Sequence, residues 1–214
     1  MQELIAEVQR RSVGWIIIID DKDPARAQYE GQLFADVVDI HTRGLEPEPR
    51  VIVLRGHTQE GRDVEPEDAA RFAWQLHVKG LPSMLVYDEL KHRQLVNYGV
   101  WLSGVEWVPR IFEKGRSIGI GSIWGCQYPQ QIPLDPWETT DCIFVFKTAG
   151  SGLAKLDERG WLGPKGSPER ERLLALIPTL KGYPLPLDQR GEFVVVQKGV
   201  PWNGKVYRFD ARAA

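Results

Sequence analysis

The sequence predicts an α/β fold built on a mostly parallel sheet, and three observations carry that prediction. Trp15-Ile-Ile-Ile-Ile19, Val51-Ile-Val-Leu54 and Met84-Leu-Val-Tyr87 are uninterrupted apolar runs of strand length. Continuous apolarity implies burial on both faces, as in parallel strands covered by helices. Helical patterns separate these runs, so strands and helices alternate along the chain. The first and third runs end in acid, at Asp20-Asp21 and Asp88-Glu89, and the C-terminal ends of such strands are where open α/β sheets present their ligands.

In chain order, residues 2–11 place Leu4, Ile5 and Val8 on one helical face, and Gly14 stops that helix. The strand Trp15–Ile19 follows and ends at an acidic turn closed by Pro24. A second helix is expected from Ala25 towards Val38, with Tyr29, Leu33, Phe34 and Val37 inward. The Glu46-Pro-Glu-Pro49 turn precedes the strand at Val51, and residues 56–61 read as loop. Pro66 to Val78 reads as a helix whose acidic start (Glu65, Glu67, Asp68) suits its positive end. Pro82 bounds the strand that runs into Asp88-Glu89. Gly99 to Gly104 reads as loop, Val105 to Lys114 as helix, and Gly119 to Gln127 as a glycine-laced strand with a polar end. A strand at Cys142 to Lys147 and a helix at Arg170 to Ile177 come next. Phe193 to Gln197 and Lys205 to Phe209, joined through Pro201-Trp-Asn-Gly204, read as a closing hairpin. Residues 1–150 are expected to form the core. Residues 151–214 are expected to add a helix and a small C-terminal β-hairpin packed on it.

Composition bounds the function. At 214 residues the chain can bury one sizeable core and is short for two domains. A formal net charge of -2 gives no global basic field, so nucleic-acid contact would need a local patch or an assembled ring. Cys126 and Cys142 lie in apolar runs and read as buried free thiols. The four histidines, His41, His57, His77 and His92, show no zinc-like pairing with them. No apolar run is long enough to span a membrane, and no signal-peptide pattern opens the chain. A cytoplasmic location is the expectation.

Asp88 can hold Mg²⁺ through water, and Glu89 beside it can orient and deprotonate an attacking water. The alternative is a strand that merely ends in a solvated acidic turn. Of the eight tryptophans, Trp101 and Trp107 could stack on DNA, although core or interface packing is the commoner use.

Three segments in this order resemble the HerA–FtsK group of P-loop ATPases, which move DNA. Ile16-Ile-Ile-Ile-Asp20-Asp21-Lys22 is similar to the strand that follows the family's phosphate loop and first helix. Leu85-Val-Tyr-Asp88-Glu89 is similar to its Walker B strand. Gly115-Arg116 through Gln127-Tyr-Pro129 to Pro133 is similar to its sensor strand. The resemblance covers residues 1–150 and implies a RecA-like sheet, ATP and Mg²⁺ as cofactors, and a homo-oligomeric ring, in the family a hexamer. It also implies Asp88 as indirect magnesium ligand, Glu89 as base, Gln127 as γ-phosphate or water sensor, and Arg116 as an arginine finger acting on a neighbouring subunit. Arg110 competes for the finger role, and Lys22 reads as one half of a surface ion pair with Asp20 or Asp23.

Compact size is most similar to the branch that packages the genomes of membrane-containing icosahedral viruses. That implies double-stranded DNA as substrate, capsid vertex proteins as further partners, and a host-cytoplasmic or virion-associated location. One departure stands out: no Gly-x-x-x-x-Gly-Lys-Ser/Thr occurs in the 214 residues. The family's first strand and phosphate loop are therefore expected to be lacking, with residues 1–11 as the helix that follows the loop. The strand around Cys142 to Phe146 is expected in the same sheet, on the far side of the lost strand. The polypeptide alone is expected to bind ATP poorly. The alternative is a non-catalytic DNA- or capsid-binding relative of the same fold.

Overall fold

The computed structural model describes residues 14–20, 29–55, 66–87, 90, 95–97, 99–182 and 190–210. The helix expected over residues 2–11, Lys22, the loop at 56–61 and the pair Asp88-Glu89 lie outside that set. The described residues fall into two compact units. One reaches to Gln127 and includes Gln131–Asp135, and the other holds Tyr128–Gln130 and the residues from Pro136 onward.

The first unit contains β1 (Trp15–Ile19), β2 (Gln32–Phe34), α1 (Val37–Arg43), β3 (Val51–Leu54), α2 (Pro66–Val78) and β4 (Ser83–Tyr87). The short strands β5 (Val96–Asn97) and β6 (Val100–Trp101) follow, then α3 (Trp107–Ile118) and β7 (Ile120–Trp124). Five strands form one sheet in the order β2-β3-β1-β4-β7, and every neighbouring pair is parallel. The fold class read from the sequence is therefore correct: a central parallel sheet, flanking helices and an additional antiparallel element.

Alternation along β1, β3 and β4 sends side chains to two apolar layers. Ile16, Ile18, Val51, Val53 and Val86 form one, with Tyr29 and Ile123 against it. On the other face Tyr87 stacks on Phe112 of α3, ring centroids 6.2 Å apart. Each fully buried aliphatic side chain contributes about 1.5–3 kcal/mol over an exposed one, and apart from Ser83 at the start of β4 these strands carry no polar position. α2 buries Pro66, Ala69, Ala70, Ala73 and Leu76 at helical spacing, and α3 buries Val108, Ile111, Phe112 and Gly115. Gly115 is required there, because a Cβ would sit 2.5 Å from the carbonyl oxygen of Ile120.

Two expectations need correction. Residues 32–34 are the edge strand β2, and the following helix is α1, so no single helix runs from Ala25 to Val38. Gly31 lies against Val51, with a Cβ placed 2.7 Å from its carbonyl oxygen, which seats this segment on β3. Asp36 then caps α1 by accepting from the Asp39 amide at 2.9 Å. Arg43 donates to the outward carbonyl of Leu33 at 3.1 Å and so blocks part of the sheet's edge. The expected loop at Gly99 to Gly104 also contains β6, which pairs antiparallel with β5.

The second unit contains β8 (Cys142–Phe146), β9 (Arg190–Gln197) and β10 (Tyr207–Asp210), an antiparallel sheet in the order β10-β9-β8. The closing hairpin is therefore present, and β8 joins it. β8 pairs antiparallel with β9, with Val145 opposite Val194. Between them, after α4 (Leu134–Thr139), lie α5 (Gly150–Glu158) and α6 (Pro168–Leu176). Ser167 caps α6 and Pro168 occupies its first turn. Arg170, in the first turn of α6, clamps Asp157 with two bonds of 2.6 and 2.7 Å. Glu169 accepts from the backbone amide of Trp202.

Val145, Val194 and Val196 are buried on one face of this sheet. The other face is aromatic: Tyr207, Phe193 and Phe146 form a cross-strand row with Phe144 beside them. Phe144 and Phe146 remain 44% and 47% exposed.

Candidate functional site

The five parallel strands end flush. Phe34, Leu54, Ile19, Tyr87 and Trp124 form one register row across the sheet, so the C-terminal ends of the five strands share a common edge. The backbone ladder continues one step further. The amides of Asp20, Arg55 and Gly125 donate to Leu54, Phe34 and Tyr87 at 3.0, 2.9 and 2.9 Å. Parallel strands leave room at this edge because their connections depart into the helical layers.

Asp88 and Glu89 follow β4 directly in sequence. Their own side chains lie outside the described residues, but both flanks are fixed by one partner. Gly125 donates to the carbonyl of Tyr87 and accepts from the amide of Leu90, each at 2.9 Å. The tips of β4 and β7 are thus tied together on either side of the acid pair. Gln127 lies two residues beyond Gly125 and is exposed.

Tyr87 is fully buried and its hydroxyl has no hydrogen-bond partner among the described residues. Burial, with the Glu67 carboxylate adding to it, pushes its ionisation far above the ordinary phenol value, so it stays neutral. Glu67 itself accepts from the amides of Trp107 and Val108 at 2.7 and 3.0 Å, capping α3 from another helix.

Arg116 lies in the last turn of α3, before β7 begins, and is exposed. The five residues of β7 separate that end of the sheet from the strand tips, a distance of about 16 Å. Arg116 and Gln127 are therefore not brought together within one chain. Arg110 lies over the Trp107 ring at 4.9 Å and 3.7 Å from Glu106. Trp107 packs edge-on against Trp74, while Trp101 stacks on Phe112 and donates to Asp135 at 2.9 Å, so both tryptophans serve packing.

Sequence reasoning missed Arg55. Asp20, read as a surface carboxylate, is 0% exposed, and its described partner is Arg55, itself 11% exposed. Nε and Nη2 of Arg55 both donate to Oδ2 of Asp20, at 3.2 and 2.6 Å. The signal was available: Arg55 follows an apolar run in the same way that Asp20 follows its own. Among the described residues no group of three His, Cys, Asp or Glu side chains gathers as a metal site, and no helix is long and apolar enough to cross a membrane. Cys126 and Cys142 are half-buried thiols outside any disulfide among the described residues.

No protein-family model matches the sequence, and no protein of curated function matches it either. Comparison of folds gives a different answer. The genome packaging NTPase B204 from Sulfolobus turreted icosahedral virus 2, in complex with ATP-γ-S, superposes with a TM-score of 0.61 at 16% identity, over 97% of this chain and 86% of that one. The chain has the fold of B204. The sulfate complex of B204 gives a TM-score of 0.61 at 16% identity over 98% of this chain and 86% of that one. Its AMP complex gives 0.59 at 17%, over 97% and 87%. The resemblance noted in the sequence and the likeness to B204 thus point to one fold.

Proposed function

We propose that the chain is the core of a viral genome-packaging ATPase, a ring-forming motor that couples ATP hydrolysis to movement of double-stranded DNA. The observation that carries the reading is the flush strand edge, with Gly125 holding both flanks of Asp88-Glu89 and leading to Gln127. The likeness to a genome packaging NTPase solved with nucleotides supports it.

In this reading Asp88 holds Mg²⁺ through water and Glu89 accepts the proton of the attacking water. Gln127, a neutral donor and acceptor, orients that water or touches the γ-phosphate. The donor chemistry fits, because Mg²⁺ takes hard oxygen ligands and keeps much of its water. Bound magnesium would offset phosphate charge during transfer. Arg116, on the opposite edge of the sheet, serves a neighbour's nucleotide as a finger, so catalysis requires an oligomer, six subunits by the resemblance. Capsid vertex proteins are the proposed docking partners, in the host cytoplasm or the virion.

The absence of a Gly-Lys-Ser/Thr loop from the 214 residues favours a second reading, a non-catalytic DNA- or capsid-binding platform. One experiment separates the two. Codons upstream of Met1 are read, the longest in-frame form is expressed, and magnesium-dependent ATP turnover is measured with and without DNA. The motor predicts an in-frame Gly-Lys-Ser or Gly-Lys-Thr and turnover that falls about 100-fold or more in Glu89→Gln. Residues 1–214 alone are expected to show negligible turnover. A stop codon just upstream, with DNA or capsid binding and no turnover, upholds the platform instead.

A further inference from the structure

The buried pair Asp20–Arg55 has no role in the mechanism proposed above, yet it stands on the same edge. A carboxylate removed from water must be paired, and a buried ion pair is no better for stability than apolar residues of the same volume. Its position therefore calls for another account. Arg55 spends Nε and Nη2 on one oxygen of Asp20, which fixes the plane of the guanidinium. Nη1 has no partner among the described residues, and the Arg55 side chain keeps 11% of its surface exposed.

We propose that Arg55 is an anion-contacting residue of this edge. Its Nη1 amino group donates to a phosphate oxygen, and Asp20 is the positioning residue that holds the guanidinium in place. The ligand class is a phosphate group. It can belong to a polyphosphate, as the packaging-ATPase reading requires for the nucleotide, or to a nucleic-acid backbone. A guanidinium locked on its inner side loses little rotamer freedom on binding, and its N–H groups match phosphate geometry. Strand tips of a parallel sheet are where such ligands approach.

The test uses residues 1–214 with two probes, tripolyphosphate and a short DNA duplex, and reads the side-chain ¹⁵N–¹H signals of Arg55 in the wild type. Those signals are expected to shift on titration, and Arg55→Lys is expected to weaken the probe concerned about tenfold while melting within a few degrees of wild type. Asp20→Asn is expected to weaken binding without removing it. A shift with tripolyphosphate alone assigns nucleotide phosphate. A shift with DNA alone, with one fewer phosphate contact in the salt dependence of Arg55→Lys, assigns the backbone. Signals unmoved by both probes, or a folded Arg55→Lys that binds as wild type does, overturn the inference. Failure of the motor reading looks different: Arg55 still answers to phosphate while the longest in-frame form hydrolyses no ATP.

Discussion

The two sheets of this protein solve the same problem in opposite ways. β1, β3 and β4 have apolar side chains on both faces and are buried on both. β8 and β9 are also apolar on both faces, but the valines of one face are buried while Phe144 and Phe146 on the other stay 44% and 47% exposed. An antiparallel sheet ordinarily alternates apolar with polar residues when one face meets water. The aromatic row from Tyr207 to Phe146 breaks that rule. The units also differ in charge: acid exceeds base before Tyr128, and base exceeds acid from Pro136 onward. The difference teaches that a continuous apolar run reports how much surface wants cover, not which partner supplies it.

The contrast can be broken most sharply at Leu85, at the centre of β4. Leu85→Ala should cost about 3–5 kcal/mol through the cavity it leaves, read as the shift in a denaturant midpoint. Glu67→Ala comes next, because it strips two amide partners from the start of α3. A loss of about 1–2 kcal/mol is expected, and an unchanged midpoint would mean α3 is capped otherwise.

In the second unit the clamp between Arg170 and Asp157 is expected to contribute less than either of these. Arg170 holds the Asp157 carboxyl below its ordinary value of 3.8. Its contribution is therefore complete above that value and lost as pH falls through the lowered folded one. Melting curves of wild type and Asp157→Asn should differ at pH 6 and converge in strong acid. Phe144→Ser should change stability least, within about 0.5 kcal/mol for an exposed position. A cost approaching that of Leu85→Ala would show that the aromatic face is covered in solution, and the contrast would then fail. Burial, helped by Asp141, raises the Cys142 thiol above its usual range. Asp141→Asn should accordingly speed its alkylation at pH 8 by a small factor.

Much of this was legible beforehand. The runs at Trp15, Val51 and Met84 read as buried strands because nothing in them favours water, whereas the close approach of Gly115 to Ile120 showed only in the structure. Tyr29, Leu33, Phe34 and Val37 misled, since helical spacing over so few residues also fits a short edge strand followed by a capped helix. Gly31 and Asp36 were the corrective signals. β8 was legible as a strand, but its partner β9 was not, because an apolar run does not state whether its neighbour is parallel. The edge itself was readable from acids following strands. Asp20 was not, because its burial depends on Arg55, a cation brought beside it only when β3 pairs with β1.

The flush register row has a kinetic consequence. No two neighbours in the five-stranded sheet are joined by a tight turn: Trp15 faces Ser83, and Phe34 faces Leu54 across a whole helix. The chain must close large loops before any pairing rewards it, so this unit should assemble slowly for its size. Until it does, its strands are bare hydrocarbon, and nascent copies at high concentration are exposed to mispairing with one another.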